Sequence, residues 1–117
     1  MGQTVLIVDD HADLRASARA MLEADGFDVV GDARTGAEAV AEARRLAPTL
    51  VLLDVRLPDI DGISVAQQLA ELSLAPDVVL ISSRDATAYG RRLCSAPALG
   101  FLGKAELTGA TLRRLLG

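Results

Sequence analysis

Apolar positions follow two rhythms along this chain. Three short runs carry almost no polar alternation: Thr4 to Asp9, which ends in charge, Leu50 to Leu53 and Val78 to Ile81. Such runs predict strands buried on both faces. Between them apolar residues recur at helical spacing. Leu14, Ala18, Met21 and Leu22 fall at i, i+4, i+7 and i+8, which makes one apolar face of a helix over 11–25. Gly26 supplies its stop. Asp28 to Ala33 reads as a second strand. Thr35 with Glu38 three residues on predicts a capping box, and Val40, Ala43 and Ala47 continue that helix to Pro48. A third helix is expected from Gly62 to about Leu72, a weaker fourth over 85–95, a short fifth strand over 99–102, and a last helix capped by Thr108.

Five strands alternating with five helical stretches require crossover connections and a parallel sheet covered on both faces. The fold class expected is α/β, a doubly wound flavodoxin-like sheet with strand order 2-1-3-4-5. In such sheets ligands bind beyond the carboxyl ends of the strands, at the switch point between strands 1 and 3.

Composition narrows the class further. The 117 residues fit one domain, 1–117, long enough to bury a core of its own. Twelve basic residues against sixteen acidic leave a net charge of −4, and there are only three aromatics. That balance, without a basic stripe, argues against direct nucleic-acid binding. No apolar run reaches the length of a membrane span. No secretory signal is visible either, so the expected address is cytoplasmic. A single cysteine, Cys94, excludes an intrachain disulfide.

The predicted strand ends collect unusual chemistry. Strand 1 ends in Asp9-Asp10, strand 3 in Asp54 and strand 4 in Ser82-Ser83, and Lys104, the only lysine, follows strand 5. Crowded carboxylates repel one another and call for positive charge. A hard divalent cation such as Mg²⁺ suits one or two carboxylates plus water. Lys104 supplies a mobile point charge. A carboxylate beside such a metal could act as a nucleophile and form an aspartyl phosphate.

Four segments carry a resemblance: VLIVDDHADLR at 5–15, LVLLDVRLPDIDG at 50–62, VVLISS at 78–83 and GFLGKAEL at 100–107. Together they resemble a two-component response regulator receiver domain, in particular receivers that in many relatives precede a helix-turn-helix output domain. The resemblance implies that Asp54 is the phosphoacceptor. Asp10 would bind Mg²⁺ (or Mn²⁺) directly and Asp9 through water, with Asp54 and the backbone carbonyl of Arg56 completing the protein ligands. Ser82 would be the switch hydroxyl, with Ser83 beside it. Lys104 would pair with a phosphoryl oxygen, and Phe101 would be the switch aromatic. Pro58 and Gly62 would shape the loop after Asp54. The donor would be a phosphohistidine on a sensor histidine kinase or phosphotransfer protein. The output partner is unknown, and the switching face would be the fourth helix, fifth strand and last helix. A homodimer through the fourth and last helices is a further expectation.

Some residues depart from that pattern. Gly90 falls within the fourth helix and Pro97 follows it, so that helix is expected to be short or irregular. Arg56 and Arg84 lie two residues after Asp54 and Ser82, where they could tune autodephosphorylation. His11, the only histidine, is read as solvated or capping at a helix start. Asp59 and Asp61 hint at a calcium loop, but Leu57 and Gln68 occupy its first and last ligand positions. Three alternatives stand beside the phosphoacceptor reading. They are a Mg²⁺-dependent phosphatase, a phosphorylation-independent interaction module, and a fragment of a longer DNA-binding regulator. Arg56 stands where such phosphatases want a second acid, so a phosphoacceptor rather than an enzyme is expected.

Overall fold

The computed structural model describes residues 3–83 and 96–117. The elements are β1 (Thr4–Val8), α1 (Ala12–Ala24), β2 (Asp28–Ala33), α2 (Gly36–Leu46), β3 (Leu50–Asp54), α3 (Gly62–Ala70), β4 (Asp77–Ser82), β5 (Gly100–Gly103) and α4 (Gly109–Leu116). A turn of 3₁₀ helix, Lys104–Glu106, joins the last two. The strands form one parallel sheet in the order β2-β1-β3-β4-β5, the flavodoxin-like arrangement. The fourth helical stretch expected over 85–95, with Arg84, Gly90 and Cys94, lies outside the described residues.

Strand β3 shows why its apolar run is continuous. Leu50 and Leu52 enter one core, with Val5, Ile7, Leu22, Phe27 and Leu112. Val51 and Leu53 enter the other, with Leu6, Val8, Ala39, Val65 and Leu69. Side chains alternate between faces, and helices cover both faces, so the strand stays apolar from Leu50 to Leu53 and turns polar only at its last residue, Asp54. All four residues have no exposed surface. Each contributes about 1.5–3 kcal/mol from burial.

Helix ends follow local chemistry. Gly26 takes φ 89°, a left-handed turn that ends the α1 segment. The Thr35 hydroxyl accepts from the Glu38 N–H at 3.1 Å, one half of the capping box. The Glu38 carboxylate returns to the N–H of Arg34 rather than to Thr35. Asp59 takes further donors at that helix start, accepting from Gly36 N at 2.8 Å and Ala37 N at 3.1 Å. Asp61 caps α3 by accepting from Ser64 N at 2.8 Å. These two aspartates are therefore helix caps.

Two boundaries differ from expectation. Helix α3 ends at Ala70, because the N–H groups of Glu71 and Leu72 bond back to Gln68 and Leu69, three residues away. Strand β5 runs one residue later than expected. Leu99, although its N–H meets the Val78 carbonyl at 2.8 Å, lies in a bend. Among the described residues no helix is long and apolar enough to cross a membrane.

Candidate functional site

Strand register builds the site. Val8 pairs with Leu53, Asp54 with Ile81, and Ser82 with Gly103. The residues at or just beyond these pairs, Asp9, Asp54, Ser82 and Lys104, therefore meet along one edge of the sheet. Asp9 has no exposed surface, Ser82 1% and Asp54 3%. Nothing in a parallel sheet needs such groups buried there.

Lys104 closes the cluster. Its Nζ lies 2.7 Å from Asp9 Oδ2 and 3.2 Å from Asp54 Oδ2. The second contact is a hydrogen bond. The first is a charge contact, since Asp9 Oδ2 has no aligned donor. Asp54 Oδ1 accepts from the N–H of Arg56 at 3.1 Å, which fixes the carboxylate plane against its own loop. That loop is pinned at its far end: Gly62 N donates to Val55 O at 2.6 Å. A Cβ at position 62 would stand 2.2 Å from the Asp54 carbonyl oxygen, so only glycine fits.

The three charges shift one another. Burial pushes the Asp54 carboxyl above its ordinary value, and negative Asp9 adds to this, against the Arg56 N–H and Lys104. Burial would raise Asp9 too. There the Lys104 ammonium, together with the N–H and ring of His11, prevails and holds the carboxyl below its ordinary value. Burial would lower Lys104, but the two carboxylates outweigh it and hold its value up.

An open cleft of about 320 Å³ lies over these groups, lined by Asp10, His11, Asp54, Arg56, Ser82, Ser83 and Lys104 together with Leu57 and Pro58. One ligand atom each from Asp9, Asp10, His11 and Asp54 fall within 4.8 Å of one another. Three of these are carboxylate oxygens, the donors a hard divalent cation takes. The donor set therefore fits Mg²⁺ or Mn²⁺. Phe101 stands outside the cleft, half-buried on β5 and packed against the α2/α3 core.

Comparison with known proteins agrees with this arrangement. The family model for the response regulator receiver domain matches residues 5–115. The chain belongs to the response regulator receiver domain family. This receiver is 40% identical over 102 residues to the transcriptional regulatory protein PdtaR of Mycobacterium tuberculosis, covering 86% of this chain and 48% of that protein. It is 38% identical over 101 residues to the response regulator GacA of Pseudomonas protegens, covering 86% of this chain and 47% of that one. The chain thus spans about half the length of these curated relatives. Among solved structures, a LuxR-family two-component response regulator from Aurantimonas sp. SI85-9A1 superposes with TM-score 0.87 at 26% identity. The match covers 100% of this chain and 87% of that one.

Two more residues stand beside these carboxylates: His11, expected to be solvated or capping, and Arg15, which the sequence did not single out. His11 is the N-cap residue of α1, yet its side chain makes no cap hydrogen bond. The ring turns back instead, with Nδ1 2.9 Å from Asp9 Oδ1 and 3.1 Å from Asp10 Oδ1. Arg15 lies beneath the site. Its guanidinium donates to the Asp9 carbonyl at 2.8 Å and pairs with Asp32 at 3.4 Å. One signal was available for Arg15: it falls one turn after His11 on α1, on the side facing the end of β1.

Proposed function

We propose that this receiver accepts a phosphoryl group on Asp54 and returns it by hydrolysis, acting as a switch rather than a turnover enzyme. The observation that carries the reading is Lys104, held between two buried carboxylates of which one, Asp54, opens to the cleft. The donor is a phosphohistidine of a sensor kinase or phosphotransfer protein. An Asp54 oxygen attacks phosphorus, the phosphorus–nitrogen bond breaks, and the imidazole leaves with that electron pair and takes up a proton.

Burial raises the basicity of the attacking carboxylate. Asp10 and Asp54, with the Arg56 carbonyl and water-linked Asp9, would hold Mg²⁺ or Mn²⁺. Bound there, the ion supplies positive charge to the carboxylates and to the incoming phosphoryl oxygens. Lys104 exchanges Asp54 for a phosphoryl oxygen, and the Ser82 hydroxyl gains an acceptor, with Ser83 flanking it. These bonds exist only in the phosphorylated state, so they can shift a two-state equilibrium. The shift passes through β5 and Phe101 to the face that includes α4. Arg56, exposed at the cleft mouth, is placed to screen the attacking water, a role we extend to Arg84.

Incubation with Mg²⁺ and acetyl phosphate, followed by intact mass, tests the reading. The expected result is one phosphoryl adduct that disappears in Asp54→Ala. Mg²⁺ binding without any adduct, or an adduct that survives Asp54→Ala, would overturn it.

A further inference from the structure

Among the described polar residues of the cleft, His11 is the one that the phosphoacceptor reading leaves without a task. We propose that its imidazole turns the carboxylate site into a mixed nitrogen–oxygen one. A borderline transition ion such as Ni²⁺ or Zn²⁺ then binds through His11 Nδ1 with Asp9 and Asp10, in competition with Mg²⁺. This rests on the reading of those carboxylates as a divalent-cation site.

The ring's position is the first argument. An N-cap side chain ordinarily bonds to the helix start. His11 does not; its Nδ1 faces both carboxylates, at 2.9 Å and 3.1 Å. In a six-coordinate site with ligands about 2.1 Å from the ion, adjacent ligand atoms lie about 3.0 Å apart. The nitrogen therefore stands at the spacing of a ligand adjacent to both oxygens.

Asp9 is the second. It is fully buried, and its Oδ2 has no hydrogen-bond donor. Its Oδ1 accepts the His11 N–H at 2.8 Å, and the Lys104 ammonium 2.7 Å from Oδ2 meets its charge, so the carboxylate stands fixed beside the ring.

Ligand chemistry is the third. Mg²⁺ takes oxygen and keeps its waters, whereas imidazole suits Zn²⁺, Ni²⁺ and Cu²⁺. A nitrogen beside two carboxylates thus raises affinity for those ions without a matching gain for Mg²⁺. Both kinds of ion would take Asp10 as a direct ligand, so their occupancy is exclusive. The side chain of His11 is 68% exposed, leaving the ring room to rotate onto an ion.

The test uses untagged protein, in which His11 is the only histidine. Calorimetric titrations with Ni²⁺ and with Mg²⁺ are compared for wild type and His11→Gln. The His11 ring resonances are followed by NMR during the wild-type Ni²⁺ titration. Expected are a loss of at least tenfold in Ni²⁺ affinity in His11→Gln, since losing even an outer-shell partner costs about that much, and broadening of the ring signals at sub-stoichiometric Ni²⁺. Mg²⁺ binding with Ni²⁺ affinity indifferent to His11, or ring signals untouched by Ni²⁺, would overturn this inference and leave the phosphoacceptor reading standing. Failure of both ions to bind wild type would overturn the two together.

Discussion

The two ends of the same sheet are built on opposite terms. At the amino ends, Thr4 and Thr49 exchange bonds: Thr4 N donates to Thr49 Oγ1 at 3.0 Å, and Thr49 N to Thr4 Oγ1 at 2.9 Å. The groups are neutral, local and mutually satisfied. At the carboxyl ends, two buried carboxylates share one ammonium. Burial there works against the charge it encloses. Both ends belong to β1 and β3, so the contrast is not one of fold. One end closes the strands; the other keeps two carboxylates and one ammonium beneath an open cleft.

Removing the shared cation should break the contrast most strongly. Lys104→Met leaves two carboxylates buried with no counter-charge and should cost about 3 kcal/mol in urea unfolding at pH 7. A change under about 0.5 kcal/mol, no more than an ordinary surface substitution, would mean that the edge is not charged as described.

Relieving the crowding should act the other way and more weakly. Asp54→Asn keeps an acceptor for the Arg56 N–H and removes a charge, so it should stabilise the fold by about 1 kcal/mol at neutral pH. The pH dependence sharpens this. The carboxyl of Asp54 is raised, so the folded chain holds that proton more tightly than the unfolded one. Its contribution to stability therefore falls as pH rises from the ordinary 3.8 through the higher folded value. Asp9 runs in the opposite sense: its lowered carboxyl adds stability above 3.8, lost as pH falls below it. Urea titrations across this range should show the falling limb in wild type and its absence in Asp54→Asn.

The smallest effect belongs to the quiet end. Thr49→Val should cost no more than about 1 kcal/mol for its lost hydroxyl bonds. Mg²⁺ affinity and the yield of the phosphoryl adduct should not change. A coupled loss of either would show that the two ends are linked through β3.

Sequence alone reached the sheet order, both buried faces of β3 and the strand-end positions of Asp9, Asp54, Ser82 and Lys104. Strands buried on both faces show as unbroken apolar runs, and such runs are written in neighbouring residues. It placed His11 exposed at a helix start but could not reach the turn of its ring toward Asp9 and Asp10, nor the contacts of Arg15. Where a ring turns depends on what the neighbouring loop offers, and the strand pattern carries no record of that. Asp59 failed to declare itself for a similar reason, because its partners, Gly36 and Ala37, sit more than twenty residues away in the chain. The Thr35 cap was legible because hydroxyl and amide lie three residues apart; the return bond of Glu38 slipped by one residue to Arg34.

Lys104 also imposes an order of assembly. Asp9 and Asp54 belong to strands that pair with each other directly, but their counter-charge comes after β5, at the edge of the sheet. During synthesis both acids leave the ribosome long before the lysine does. A nascent chain that stops short of it can align β1 with β3 only by confining two anions together. Complete desolvation of that edge therefore waits for the carboxyl-terminal quarter of the chain. The ammonium is a contact of long sequence separation, 50 residues from Asp54, and contacts of that kind are the slow ones to form.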